Sequence, residues 1–580
     1  MIKRLVKQML TAQVLSALTV SVCLLVDSIM ISRFYGDPGM AAYGLANPIL
    51  LVIGAIGSML SAGVQVVCSR SLGKGEHEET NVGYASSIAV VAAVSAVFVP
   101  LVLLLRTPLA TLMGAGGSAS LLSDTRDYIT GFVIGAPATM AALILVPFLQ
   151  IAGQSGLLIA SVLAMTLTDV GFDLLNVFVF HGGMFGMGLA SSLSYYAAML
   201  IGGAYFLSKK CVFEFSLSRI RFSKIRELFV GGLPTVFNMA SSVVLVFVMN
   251  QLMMKLGGAN AVAAIAVVVS IGNASNCIST GMGGVSLTMT GILYNEEDHS
   301  GLRELLRLLL RYAAYIGVAA AGLLLVFAPA CVGLFIANAG ESRDMAIVGL
   351  RLYAFGLIPC CVNNALKCCY QGTDRVRAME LICILENAVL PSLSALVLSV
   401  AAGMRGVWFY YVCGELLTLF GIVGYTWLKR PNEASAIDRL LMLKGDFGVP
   451  KADLMEANIH DLKEVMVVSR AAERFCLDHG RDPRTANHLA LCIEEMGSNI
   501  VTHGFMPSVR NHLSVRLQKK ADRWVLRFRD DCGAFDPVSY VPAEDREDCV
   551  GIRLVLGMAD EARYTYSLNL NNLMLILKDG

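Results

Sequence analysis

Residues 157–180 read LLIASVLAMTLTDVGFDLLNVFVF, an apolar run that carries two aspartates and an asparagine near its middle. At ~1.5 Å rise per residue, a helix of this length crosses the ~30 Å hydrocarbon core of a bilayer. An acid at that depth costs at least about 2.5 kcal/mol, so it must face protein or water rather than lipid. Asp169, Asp173 and Asn176 stand at i, i+4, i+7, which places all three on one helical stripe. A row of acid in an apolar helix is the natural start of a cation path. The alternative is that one aspartate caps a helix break while the other pairs with a base from a neighbouring helix.

The rest of the chain supports the membrane reading. Of 580 residues, 56% are hydrophobic and 15% charged, and the mean hydropathy is +0.65, the composition of a polytopic membrane protein with more than one domain. Apolar runs with short polar breaks fill roughly residues 1–430, a connector follows over 431–449, and from about 450 to 580 the composition is that of a soluble domain. Twelve spans are expected, at about 12–34, 43–69, 82–105, 127–152, 157–180, 186–208, 229–254, 261–290, 305–330, 346–369, 379–402 and 406–428. Lys3, Arg4, Lys7, Arg70, Lys74, the Lys209 to Arg226 cluster, Arg303, Arg307, Arg375, Arg377, Lys429 and Arg430 fall on one side of these spans. Arg33, Arg106, Lys255 and Arg405 fall on the other. The excess predicts a multi-pass protein of the plasma (inner) membrane with both termini and the C-terminal domain in the cytoplasm. The basic start, Met1 to Lys7, leads into a span without a small-residue cleavage site, so no cleavable signal is expected. A net charge of +1 calls for no acidic partner and no nucleic acid. Fifteen cysteines lie mostly in apolar runs and lack metal-ligand spacing, which predicts neither a disulfide framework nor a zinc site.

The spans read as two copies of six, about 1–210 and 225–430, because landmarks recur at an offset of about 222 residues. Met40-Ala41-Ala42 answers Val262-Ala263-Ala264, Gly63-Val64-Gln65 answers Gly284-Val285-Ser286, Pro137 answers Pro359, Gln150 answers Gln371, and Gly186-Met187 answers Gly406-Val407. A duplicated six-span half is a transporter signature, with the substrate site between the halves near the midplane.

Five stretches make the likeness specific: Asp27 in the first span, Ala41-Ala42-Tyr43-Gly44-Leu45-Ala46-Asn47-Pro48, Ser71-Leu72-Gly73-Lys74-Gly75-Glu76, Gly232-Leu233-Pro234, and Gly406-Val407-Trp408 ahead of Glu415. Together with the repeat, they resemble the multidrug and toxic compound extrusion (MATE) family over about residues 1–430. The resemblance implies that Asp27 joins Asp169, Asp173 and Asn176 in an acidic cation site of the first half. It also implies export of organic cations and other amphipathic compounds against proton or sodium influx. Family members often carry Asn where Asp169 stands; packed carboxylates repel one another, which favours proton exchange without excluding sodium. In the second half Asn250 lies near the place that answers Asp27, and the halves are chemically unequal. Glu386, inside an apolar span, is either a second ion or substrate contact or is paired with an Arg or a backbone amide. Glu415 reads as a buried acid that orders helix packing.

The C-terminal region reads as a small α/β sandwich: helical periodicity over 459–479 and 485–503, strand-like patterns over 512–518, 524–529, 562–568 and 572–578. Glu495, Asn499 and His503 stand at i, i+4, i+8 in Glu494-Glu495-Met496-Gly497-Ser498-Asn499-Ile500-Val501-Thr502-His503-Gly504. A carboxylate to polarise a nucleophile and an amide oxygen for Mg²⁺ are what an ATP site built on a helix needs. Arg529-Asp530-Asp531-Cys532-Gly533-Ala534-Phe535-Asp536-Pro537 and then Gly551-Ile552-Arg553-Leu554 follow. In that order these resemble the histidine-kinase-like ATPase superfamily, nearest its anti-sigma-factor serine kinases. The resemblance implies Glu495 as general base, Asn499 as Mg²⁺ ligand, Asp530 as acceptor for the adenine amino group, and His503, Gly533 and Gly551 along the nucleotide. Cys532 stands where the glycine two residues after the adenine aspartate is usual, which makes Asp531 a rival for that role. Gly551 stands nearly alone where several glycines commonly admit phosphate.

Three functions follow. The first is a cation-coupled exporter regulated by a cytoplasmic domain that binds ATP and Mg²⁺. The second is a membrane-tethered serine kinase or anti-sigma-like switch that acts on a cytoplasmic regulatory protein, with the transporter half as sensor. The third is a lipid-precursor flippase, against which the acidic midplane speaks. No GxxxxGK[ST] phosphate loop is present to power a primary pump.

Overall fold

The computed structural model describes residues 2–578 except 75, 114, 116–117, 209–210, 337–339, 434, 445–446, 507–510, 521 and 541–549. Gly75 of the loop motif and Lys209 of the basic cluster lie outside the described residues. Helix α1 (Ile2–Gly73) is two helices joined at Gly36, where φ is 62°, and α7 (Phe222–Ser275) is broken in the same way at Gly258, φ 63°. Glycine adopts this left-handed backbone at no steric cost. Gly258 follows Gly36 by 222 residues, the offset that the sequence landmarks show.

Between the two breaks lie α2 (His77–Leu112), α3 (Ala119–Val133), α4 (Ala136–Ile151), α5 (Ser155–Leu175) and α6 (Gly183–Gly203). After them come α8 (Cys277–Asn295), α9 (His299–Gly333), α10 (Glu341–Gly372), α11 (Val376–Ile384), α12 (Leu390–Val407) and α13 (Tyr410–Lys429). Among the described residues ten helices are long and apolar enough to cross a membrane, and the pair α3 and α4, bent by 45°, makes an eleventh span. That makes ten to eleven of the twelve expected spans; the leading helix of α1, from Ile2 to the break at Gly36, lies where the first expected span, 12–34, falls. Each half contains one wide π-turn, Asn176–Phe180 after α5 and Leu385–Val389 between α11 and α12. Each adjoins intramembrane acid, and such turns often mark functional positions.

The apolar core shows how the halves meet. At one end a single core runs through both, joining Leu10, Leu72 and Phe148 to Met289, Leu305 and Tyr370. At the other end each half keeps its own, around Tyr128 and Met140 in the first and Val268 and Trp408 in the second. At the shared end the backbones touch: a Cβ on Gly63 would overlap the Leu228 carbonyl, and one on Gly73 would overlap Ile292. Arg70 of the first half also pairs there with Asp374 of the second.

The C-terminal domain sits at this shared end. It follows the short α14 (Ala436–Leu441) and is built from β1 (Leu454–Ile459), α15 (Leu462–Asp478), α16 (Pro483–Asn499) with a π-turn over Ile500–Gly504, β2 (Leu513–Lys519), β3 (Arg523–Asp530), α17 (Val550–Met558), β4 (Glu561–Ser567) and β5 (Leu570–Lys578). The strands form one antiparallel sheet in the order β1-β2-β3-β5-β4, and α15, α16 and α17 pack on one face around Trp524, Leu526 and Phe528. The four expected strands and two helices are all present. Strand β1 is an addition: its LMEANI sequence buries only Ile459 fully, so it carries little apolar alternation, and its order comes from pairing with β2.

Candidate functional site

In the first half, α1 supplies Asp27 and α5 supplies Asp169 and Asp173, which are 4%, 1% and 0% exposed. The spacing that put the two α5 acids on one stripe turns both toward α1, and the three carboxyl groups lie within electrostatic reach of one another. Asp27 Oδ2 accepts from Ser191 Oγ at 3.1 Å. The other five carboxylate oxygens have no donor in full hydrogen-bond geometry among the described residues, with the Cys23 thiol and Ser194 hydroxyl close to Asp169. Tyr43, Tyr128 and Tyr195 line the same space, with Tyr43 set edge-on to Tyr128 at 5.4 Å. A site of this kind offers bare acceptors inside the bundle, the arrangement that a proton, a metal cation or an organic cation requires.

Asn176 lies on the same stripe and is buried, and its amide is committed locally. It donates to Tyr35 Oη at 3.2 Å and to the Gly183 carbonyl at 3.1 Å, and accepts from Gly182 N at 3.0 Å. It therefore pins the turn between α5 and α6. Gly186 is held to glycine there, because a Cβ would overlap Asn176 Oδ1.

The second half carries different chemistry. Asn250, near the position answering Asp27, is exposed. Glu386, in the second π-turn, accepts from Lys367 Nζ at 2.6 Å, and both are buried. Of the two readings of Glu386, the geometry shows a pair, and the base is a lysine. Glu415 accepts from Asn363 Nδ2 at 2.8 Å. Ligand atoms of Cys360, Glu386 and Glu415 all lie within 4.8 Å of one another. Lys367 did not stand out in the sequence, yet a signal was present: it is the one basic residue in the apolar run Cys360–Tyr370, and at membrane depth it is as costly as an acid.

In the C-terminal domain a cavity of about 500 Å³ opens between α16 and the ends of β3 and β5, lined by Asn499, His503, Asp530, Gly533, Phe535 and Ile552 among others. Asp530 is buried in it and accepts from Asn571 Nδ2 at 2.8 Å and Cys532 N at 3.0 Å. Burial lifts its carboxyl above the ordinary carboxylate range, against the opposing pull of Asn571 and the Cys532 N–H. Asp531 points elsewhere, binding Asn511, His512 N and Arg4 of α1. Of the two rivals, only Asp530 lines the cavity. Glu495 and Asn499 flank Gly551 at the start of α17: a Cβ on Gly551 would overlap Glu495 Oε2, and Asn499 Nδ2 would lie 3.7 Å away. Asn499 Nδ2 is itself buried and has no partner among the described residues. A buried acid at one end, a glycine at a helix start and an amide N–H free to donate to phosphate beside it fit a nucleotide, and Asn499 Oδ1 is the atom that would be offered to its metal.

Two like sets of six helices, with bare acids buried in one of them and an α/β nucleotide-type domain at their shared end, define a duplicated membrane transporter with an appended domain. The MatE family profile matches residues 13–175 and 234–395, more than half of the chain, and the chain belongs to that family. The profile of the histidine kinase-like ATPase domain matches residues 460–577. The multidrug export protein MepA of Staphylococcus saprophyticus is 24% identical over 438 residues, which cover 73% of this chain and 90% of that protein. Among solved structures, a MATE transporter in complex with MaL6 superposes with a TM-score of 0.69 at 20% identity, covering 76% of this chain and 98% of that one. An outward-facing MATE transporter of the MOP superfamily gives 0.69 at 19% identity, covering 76% and 97%.

Proposed function

We propose that this protein exports small organic cations or amphipathic compounds across the plasma membrane in exchange for protons or sodium, under the control of a cytoplasmic domain that binds ATP with Mg²⁺. The division into a transporter to about residue 430, a connector to 449 and the ATP-binding domain beyond goes with this reading. The observation that carries it is the trio Asp27, Asp169 and Asp173, buried together with five oxygens that no donor in the described chain meets in full hydrogen-bond geometry. Carboxylates held in this way need a cation, and exchanging that cation for a substrate is the elementary act of an antiporter. The drug export named for the staphylococcal relative supports the substrate class.

At the nucleotide site, Asp530 would accept from the adenine amino group, Gly551 would admit the phosphates, and Asn499 would hold Mg²⁺, which offsets phosphate charge. Glu495 stands beside Gly551, in place to take a proton from a hydroxyl on the phosphate side. His503 would border the nucleotide at the cavity wall. The ion gradient alone supplies roughly 2.3 kcal/mol per charge per 100 mV, so ATP acts on the rate of transport without being consumed in proportion to substrate. The orientation with the domain in the cytoplasm is supported by the basic residues at its end of the bundle, among them Arg4, Arg70, Arg219 and Arg303. The test is export of a fluorescent cationic dye from proteoliposomes under an imposed proton or sodium gradient, with ATP, a non-hydrolysable analogue or neither. Gradient-driven export that either nucleotide modulates is the expected result; export that runs only with hydrolysis defeats the reading.

A further inference from the structure

The face of the C-terminal sheet turned away from its helices is usually free to meet solvent, and here it is buried. Alternation along the strands places Arg516, Arg527 and Arg529 on that face with Val525, Met574 and Ile576 between them. Opposite lies the three-residue turn joining α8 to α9, Glu296-Glu297-Asp298. Glu296 pairs with Arg527 at 3.1 Å and also with Arg529; Asp298 pairs with Arg516 at 3.1 Å; Glu297 pairs with Lys520 at 2.9 Å. Each acid of the turn has its own cation on the domain. Burial works against ionisation of Asp298, yet Arg516, the Gly301 N–H, Arg529 and Ser300 outweigh it and hold the carboxyl below the ordinary range.

That turn belongs to the second half of the bundle. The first half is held by the hairpin between β4 and β5, whose tip, Leu568 and Asn569, takes left-handed backbone. Leu568 N donates to the Ile151 carbonyl at 2.6 Å, Asn569 Nδ2 donates to the Gly153 carbonyl at 3.0 Å, and Arg563 reaches the Lys74 carbonyl at 3.1 Å. The Leu568 side chain enters the core that the two halves share. Gly153 must remain glycine at this contact, since its φ is 71° and a Cβ would overlap Asn569. The domain therefore grips both halves at the end where they are joined, and that end cannot part while both grips hold.

The grip and the nucleotide cavity share strands. Asp530 and Asn571 are cross-strand partners facing the cavity, and the next pair, Arg529 and Asn572, faces the bundle, with Arg529 Nε donating to Asn572 Oδ1 at 2.7 Å. Asp530, proposed to accept from adenine, and Arg529, which holds Glu296, are adjacent residues.

We propose that the outer face of this sheet and the tip of its β4–β5 hairpin dock the chain's own 296–298 turn and 151–153 loop respectively, and that the docked domain is a brake which keeps the cytoplasmic end of the transporter shut, in register with its nucleotide cavity. This rests on the exporter reading. It predicts that breaking either grip frees the bundle, since a bridge fails at either end, and that docking and nucleotide affinity change each other by the same factor.

The test uses the full chain in lipid vesicles, with Glu296→Lys opening the second-half grip and Leu568→Asp the first-half grip; neither residue lines the cation site or the nucleotide cavity. Hydrogen exchange across 293–300 and 561–570 reports docking independently of transport. Each variant is expected to lose protection in both segments, to raise dye export at a fixed gradient about fivefold or more, the lower range of ordinary coupling between sites, and to shift the Kd for ATP. Retained protection overturns the docking surface, and lost protection with unchanged export overturns the brake. Nucleotide control that persists in both released variants also overturns the brake while leaving regulation standing. Export indifferent to nucleotide in the intact chain removes regulation itself.

Discussion

The two halves of the bundle share their breaks and differ in their charges. Gly36 and Gly258 kink the same helix in each, and each carries a π-turn beside acid. In the first half Asp27, Asp169 and Asp173 meet no base among the described residues; in the second Glu386 is closed by Lys367 and Glu415 by Asn363. Duplication supplied the same backbone twice, and side chains made one copy a site with open acceptors and the other a site that neutralises itself. A lysine in the second half takes from within the place that, on the proposed reading, a cation would take in the first. On the proposed exporter reading, the comparison assigns the coupling step to one half only.

The largest effect is expected where acceptors are open. Asp27→Asn and Asp173→Asn should each bring gradient-driven export down to that of empty vesicles, while thermal stability holds or rises, because each removes a buried acid whose ionisation no base among the described residues offsets. The double variant Lys367→Met with Glu386→Gln keeps export. If it loses export as fully as Asp173→Asn does, the asymmetry is chemical but not functional.

Lys367→Met alone sharpens the comparison from the side of stability. Removing one partner of a buried pair leaves an uncompensated charge, at a cost of about 3–5 kcal/mol. Thermal unfolding of the purified chain should show this loss, and Glu386→Leu in the same chain should recover most of it. A cost below about 1 kcal/mol, the scale of exposed pairs, would mean that water reaches Glu386 and that the second half is open after all.

Asp530 offers a third buried acid to set beside these, bonded twice where the α5 aspartates are bare. Asp530→Ala and Asn499→Ala should each weaken ATP binding by roughly tenfold or more, the value of a charged hydrogen bond. The Asn499 effect should be confined to buffers with Mg²⁺; calorimetry on the full chain separates the two, and an equal loss without metal removes the assigned metal role. On the proposed assignment the adenine amino group would donate to the ionised form of Asp530, whose carboxyl burial holds above the ordinary range. Affinity should therefore be level at neutral pH and fall as pH drops through that raised pKa, earlier than an ordinary carboxylate near about 4 would allow.

The smallest effect is expected at Asp169. Asp169→Asn leaves Asp27 and Asp173 in place, so export should fall by less than Asp173→Asn produces, measured under the same gradient. An equal loss would make all three acids a single unit.

Much of this was legible in the chain because it is local. Span length follows from apolar runs, the repeat from landmarks at a fixed offset, and the shared stripe of Asp169, Asp173 and Asn176 from helical spacing. Glu495 and Asn499 likewise sit on one face because a helix has a period, and Gly551 was marked by its type alone. What the sequence could not determine joins residues far apart. Lys367 finds Glu386 only once α10 packs against the second π-turn, and Asp530 rather than Asp531 enters the cavity because of strand register. Asn176 is committed to a turn by Tyr35, 141 residues away. The grip of Arg529 on Glu296 spans 233 residues. Local periodicity is written in neighbouring side chains, whereas which charge meets which is decided only when packing removes water from both.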